Sequence, residues 1–210
     1  MAEDRTTQIS NWCSFGPQPL IMDGIFCELL KQHFADATNI EQAELTSRLY
    51  SSTVANNNIL ITTPSAWTPT EAQRRLAVIV KRNGWKCEKR GFADNTNGAT
   101  VEGFRRHTKT WRGSHTIFAL ANEGPETQIL AAEVYRFFNH FGPVFRQYFR
   151  LLMFEVVEVG TMSQIKEWDA HWGIPITIMY GWDDTWILKP NEPVLAGIDL
   201  SDTFSVGIGT

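Results

Sequence analysis

The chain has five histidines, at positions 33, 107, 115, 140 and 171. No two of them have the three-to-five-residue spacing with which a helix or loop presents paired ligands to a metal ion. Asp183 and Asp184 would hold a cation only if the fold carried them to Glu155 or Glu158. Adjacent aspartates between a strand and a proline-rich tail read first as a turn. Ser114 and His115 are the right types for a nucleophile and its base, but neighbours on a strand point to opposite faces and cannot pair. Gly-x-Ser-x-Gly, a phosphate-binding loop and a dinucleotide fingerprint are all absent. Cys13, Cys27 and Cys87 are odd in number, far apart and without a C-x-x-C pair, so buried thiols are expected rather than a disulfide frame or zinc site. An enzyme would have to assemble its site from His107, His115 and the acids near the last strand. Nothing in these residues demands catalysis, and neither metal nor cofactor is expected.

The elements that would position such groups are an α+β set: a single mixed or antiparallel sheet flanked by two to four helices, with extended terminal arms. The expected division is an arm over residues 1–19, one domain over 20–186 and a second arm over 187–210. Leu20, Ile21, Ile25, Phe26, Leu29, Leu30 and Phe34 keep helical spacing, and Gly24 weakens that helix slightly. A weaker helix is expected over Glu41 to Ser51, then a short strand at Ile59–Thr62. Thr68-Pro69-Thr70-Glu71 has the form of a capping box, and the spacing of Ala72, Leu76, Ile79 and Val80 predicts a helix up to Asn83-Gly84. The same stretch also fits a hairpin turning at Asn83-Gly84. Phe92 to Thr110, with Arg105, Arg106, His107 and Lys109, reads as a long exposed loop or hairpin.

From Ser114 the pattern is firmer. Ser114–Leu120 alternates as a strand, and Gly124-Pro125 opens a helix whose apolar stripe is Ile129, Leu130, Val134, Phe137, Phe138 and Phe141. Gly142-Pro143 is expected to end that helix and start another through Val144, Phe145, Tyr148, Phe149 and Leu152. Strands follow at Phe154–Val159 and at Ile174–Tyr180. Pro175 lacks a ladder donor and predicts an edge position or a strand start.

Three segments stand out in order and spacing: Asn122-Glu123-Gly124-Pro125-Glu126, Phe154 to Gly160, and Trp172-Gly173-Ile174-Pro175 leading into Tyr180. Over roughly residues 110 to 182 this order resembles the neck terminator (tail terminator) proteins of contractile-tailed bacteriophages. The resemblance implies a structural virion protein, assembled in the host cytoplasm, whose subunits close into a sixfold ring. Such a ring caps the tail tube and joins it to the head connector. The implied partners are further copies of the chain, tail tube and sheath proteins, connector or adaptor proteins, and DNA passing through the lumen without specific binding. A head-completion or adaptor protein is the alternative within the same apparatus.

Composition agrees with a chain of this kind. At 210 residues one domain can bury a sizeable core, and no apolar run reaches the length that crosses a bilayer. Met1 to Arg5 lacks the basic-then-apolar order of a secretory signal. A net charge of -4 argues against a phosphate-gripping surface. Eight tryptophans are many for this length, and Trp12, Trp67, Trp111, Trp168, Trp172, Trp182 and Trp186 fall in stretches read as loops. They are therefore candidates for subunit contacts. Glu155, Glu158, Asp183 and Asp184 are candidates for a mildly acidic lumen, against the reading that they are ordinary surface charges.

Overall fold

The computed structural model describes residues 19–51, 58–66, 76–88, 105–164 and 171–188. Helix α1 (Pro19–Ala35) forms because Met22, Phe26, Leu30 and Phe34 repeat every four residues and bury one stripe completely. The expected helix over Glu41 to Ser51 is not formed. Short 3-10 turns at Ala37–Asn39 and Ala43–Leu45 stand there instead. Ile40 and Leu45 anchor the segment in the core, and the Tyr50 N–H donates to the Phe34 carbonyl at 2.8 Å, folding the chain back onto the end of α1.

Among the described residues six strands form one sheet: β1 (Leu60–Thr62), β2 (Ala77–Glu88), β3 (Arg105–Ala121), then, after helix α2 (Gly124–Tyr148), β4 (Met153–Val159), β5 (Ser163–Gln164) and β6 (Trp172–Leu188). The order across the sheet is β1-β2-β3-β6-β4, with β5 also pairing β6. β1 runs parallel to β2 and the remaining pairings are antiparallel, so the fold is α+β with a single mixed sheet. α1 lies over β1, β2 and β3, and α2 lies over β3, β6 and β4. Val78, Val80, Ile117, Ala119, Ile174, Ile176 and Ile178 meet the helices in one core, while Ala77, Ile79 and Leu120 form a small cluster on the other face.

Several sequence expectations are corrected here. The stretch after Leu76 is neither helix nor hairpin. β2 runs straight through Asn83-Gly84, where its register on β3 slips by one residue between Arg82 and Trp85. Val78 and Val80, fully buried beneath α1, fix the strand state. The capping-box residues, residues 89–104 and most of both arms lie outside the described residues, but Pro19 already belongs to α1, Ile187 and Leu188 still belong to β6, and Arg105 to Thr110 belong to β3 rather than to a loop. The two helices expected around Gly142-Pro143 are one. Pro143 removes the hydrogen bond to the carbonyl of Asn139, and both residues face outward, where water can take that carbonyl, while Phe138, Gly142 and Phe145 continue the buried stripe. The start of α2 falls within one residue of expectation, with Glu123 as cap and Pro125 in the first turn.

Pro175 is not on an edge strand, because β6 sits between β3 and β4. Its carbonyl accepts from Gly160 N–H at 2.8 Å, so the missing donor points to the β4 side, just where that ladder stops, and β3 loses nothing. A Cβ on Gly160 would lie 2.6 Å from the Pro175 ring, so only glycine allows this closing contact. Asp183 and Asp184 form no turn, since β6 continues through them to Leu188.

A buried polar link ties the two helices. His33 Nε2 donates to Glu133 Oε1 at 2.8 Å, and Arg136 also donates to Glu133 while reaching Glu41 Oε1 at 2.9 Å and the Asn39 carbonyl at 2.8 Å. Burial alone would raise the Glu133 carboxyl, but the Arg136 and His33 hydrogen bonds outweigh it and hold it below the usual carboxylate range.

Candidate assembly surface

Strands β2, β3 and β6 continue past the region where they meet β1 and β4. The extra residue in β2 turns Trp85 onto the same face as Val78 and Val80, opposite Gly113. Its ring stacks on Trp182 at 6.1 Å and tilts against Trp111 at 5.3 Å; Trp182 stacks in turn on Tyr180, and Tyr180 meets Phe26 of α1 edge-on. A ladder of rings therefore runs from the core to Trp85, which is 52% exposed. Gly113 permits it: a Cβ there would fall 2.9 Å from the Tyr180 ring.

The opposite edge is apolar as well. β4 ends the sheet, its register slips at Val157, and Val157, Val159 and Leu152 are exposed. Beside it, the last turns of α2 turn out Phe141, Val144 and Tyr148, the last 79% exposed. Between α2 and β4 runs a groove of about 820 Å³, floored by Phe138, Gly142, Leu151, Phe154 and Val156 and rimmed by Asn139, Arg146, Gln147, Arg150 and Glu155. Leu151 N–H returns to the Arg146 carbonyl and Arg150 N–H to that of Gln147, the closing pattern that usually places glycine at the position held by Arg150. Arg150 takes φ 52° there, a left-handed conformation costing about 1–2 kcal/mol for a residue with a Cβ.

The residues singled out from sequence do not converge on one place. Trp12, Trp67 and Trp168 lie outside the described residues. Trp111, Trp172, Trp182 and Trp186 stand on strands, not loops. Trp182 is buried in its own core, which removes it as a subunit-contact candidate, and Trp111 and Trp172 are half-buried. Trp85 was missed because a turn read at Asn83-Gly84 hid its position; the signal available was an odd-numbered tryptophan beyond a glycine in an otherwise even apolar register. Glu155, Glu158 and Asp183 share the face of the sheet that carries no helix, as their pairing with or spacing from Met179 and Thr177 requires, whereas Asp184 lies on the helix face. Asp183 is half-buried and accepts from Thr110 Oγ1 at 2.5 Å.

The catalytic alternative gains no geometry. His115 is buried, its Nε2 donating to Asp23 Oδ1 of α1 at 2.5 Å, while Ser114 faces the other side of β3. Burial lowers the His115 pKa despite that carboxylate, so the ring is held neutral. His107 stands eight residues back along β3, roughly 26 Å at strand rise, too far to share a site. Among the described residues no group of three or more His, Cys, Asp or Glu side chains could hold a metal ion, and no helix is long and apolar enough to cross a membrane. No protein-family model and no curated protein matches the chain.

Proposed function

We propose that this chain is a ring-forming structural protein of the virion neck, a tail terminator that closes the tail tube and joins it to the head connector. The observation that carries the reading is the placement of two different exposed apolar surfaces at opposite edges of one sheet. Trp85 stands on the part of β2 that β1 does not reach; Val144, Tyr148, Val157 and Val159 stand on the α2–β4 side. Two unlike surfaces on opposite sides favour head-to-tail association, which gives a ring when the rotation closes. The resemblance over residues 110 to 182 supports the tail apparatus as the setting, and the long β3–β6 ribbon supplies the reach between neighbours. The acidic balance of the chain and the shared face of Glu155, Glu158 and Asp183 suit a lumen through which DNA slides without being gripped. No catalytic role is assigned.

Native mass spectrometry and projection images of the full chain test this. Closed rings of six copies are expected, lost on Trp85→Ser or on Val144→Ser with Tyr148→Ser. A different closed count would assign the chain to another connector element, and a monomer at every concentration would overturn the proposal.

A further inference from the structure

Resting on that reading, we infer that the groove between α2 and β4 receives the acidic C-terminal segment, residues 192–202, of a neighbouring copy. The groove asks for an extended, acidic, partly apolar occupant. Its floor is apolar through Phe138, Phe154 and Val156, and its helical rim carries Arg146 and Arg150, which make no ion pair among the described residues. Arg150 keeps a strained backbone at a position glycine would fill more easily, so an arginine is held at this rim against its own conformational preference. β4 is the last strand of the sheet, paired on its β6 side, and such an edge takes an added strand through its main chain while alternate side chains fill pockets.

The chain itself contains a segment of matching chemistry. Glu192 to Asp202 carries Glu192, Asp199 and Asp202 with no Lys or Arg, and Val194, Ala196, Ile198 and Leu200 alternate as one face of a strand. Reach favours a neighbour over the chain's own tail. β6 ends at Leu188, seven residues beyond Gly181, the partner of Met153, so the start of β4 lies about 23 Å back along the strand. The four residues from Leu188 to Glu192 span at most roughly 14 Å. The tail leaves the tip of the β3–β6 ribbon, eight residues past Tyr180 and so beyond the levels of both Trp85 and β4, where it projects from its own subunit toward the groove of a neighbouring copy.

Cysteine cross-linking of the full-length chain tests the assignment. Gln147→Cys on one chain and Ser201→Cys on a second of different mass are co-expressed, with Cys13 and Cys87 changed to serine. Cys27 stays, since burial pushes its thiol up to about 11 and keeps it unreactive. A disulfide joining the two chains is the expected result. With both cysteines on one chain mixed into excess wild type, a bond confined to that chain would overturn the inference, as would no bond at all. A second arm does not depend on cysteine geometry: Arg146→Glu with Arg150→Glu should raise the concentration for half-assembly at least tenfold, and Asp199→Lys with Asp202→Lys should restore it. An unchanged midpoint rejects the inference. Rings that form without the cross-link leave the terminator reading standing and remove only the tail assignment; monomers without it remove both.

Discussion

Two histidine–carboxylate pairs fasten α1, and they differ in completeness. At its C-terminal end His33 meets Glu133, and Glu133 is further bound by Arg136, which itself reaches Glu41 and the Asn39 carbonyl. Nearer its start Asp23 meets His115, yet His115 Nδ1 and the neighbouring Tyr180 hydroxyl are buried with no hydrogen-bond partner among the described residues. A buried polar atom left unmatched costs about 1–3 kcal/mol. The comparison teaches where the fold keeps its polar stability: in the contact between helices. The region under the aromatic ladder gives some of it up so that the Tyr180 ring can cross Gly113 and support Trp182.

The largest expected effect follows from the complete pair. Glu133→Ala leaves the buried His33 without its acceptor and Arg136 with only Glu41 and the Asn39 carbonyl, and should cost about 3–5 kcal/mol in urea unfolding, whereas Asp23→Ala, losing one partly exposed acceptor, should cost about 1–2 kcal/mol. Equal losses would erase the distinction. Acid comes next. Burial holds His33 and His115 below their ordinary value, so the unfolded chain takes up protons that the folded chain refuses. Stability present above about pH 6.5 is therefore lost as pH falls below that value. Urea midpoints at pH 7.5 and 5.5 should show the drop, and His115→Asn should remove part of it; a flat profile contradicts the burial argument. Gly113→Ala pushes the Tyr180 ring aside and should cost about 1–3 kcal/mol, with loss of near-ultraviolet tryptophan signal as the ladder loosens. The smallest effect is a gain: Tyr180→Phe removes an unpaired hydroxyl and should be neutral or stabilising by about 1 kcal/mol, and a clear loss would mean that the hydroxyl is matched in solution.

Where one periodicity ruled, the chain could be read directly. α1, the strand at Ser114–Leu120 and the start of α2 are legible because Phe26, Leu30 and Phe34, then Ile117 and Ala119, then Leu130, Val134 and Phe138 each repeat with a single period, although the buried Met22 belongs to the first stripe and the exposed Ile21 does not. The errors cluster at glycine and proline, whose local preferences the tertiary structure overrode. Pro143 sits on an exposed helix side that tolerates it, Pro175 where a ladder stops, and Asn83-Gly84 at a register slip rather than a turn. The assembly surface was less legible. Burial of Trp182 and exposure of Trp85 depend on a one-residue offset between β2 and β3 that no local pattern announces, and the groove beside Arg150 exists only once α2 lies against β4.

The central place of β6 also sets a timetable. It is the last strand made among the described residues, yet it lies between β3 and β4, with Arg105 pairing Leu188 and Ala121 pairing Trp172. During synthesis the hairpin of β2 and β3 can form early, but β4 has no neighbour to bind until β6 has left the ribosome. Such distant pairings close slowly. The nascent chain therefore carries an open β3 edge while α2, β4 and β5 are made, and the sheet closes only once Leu188 has emerged.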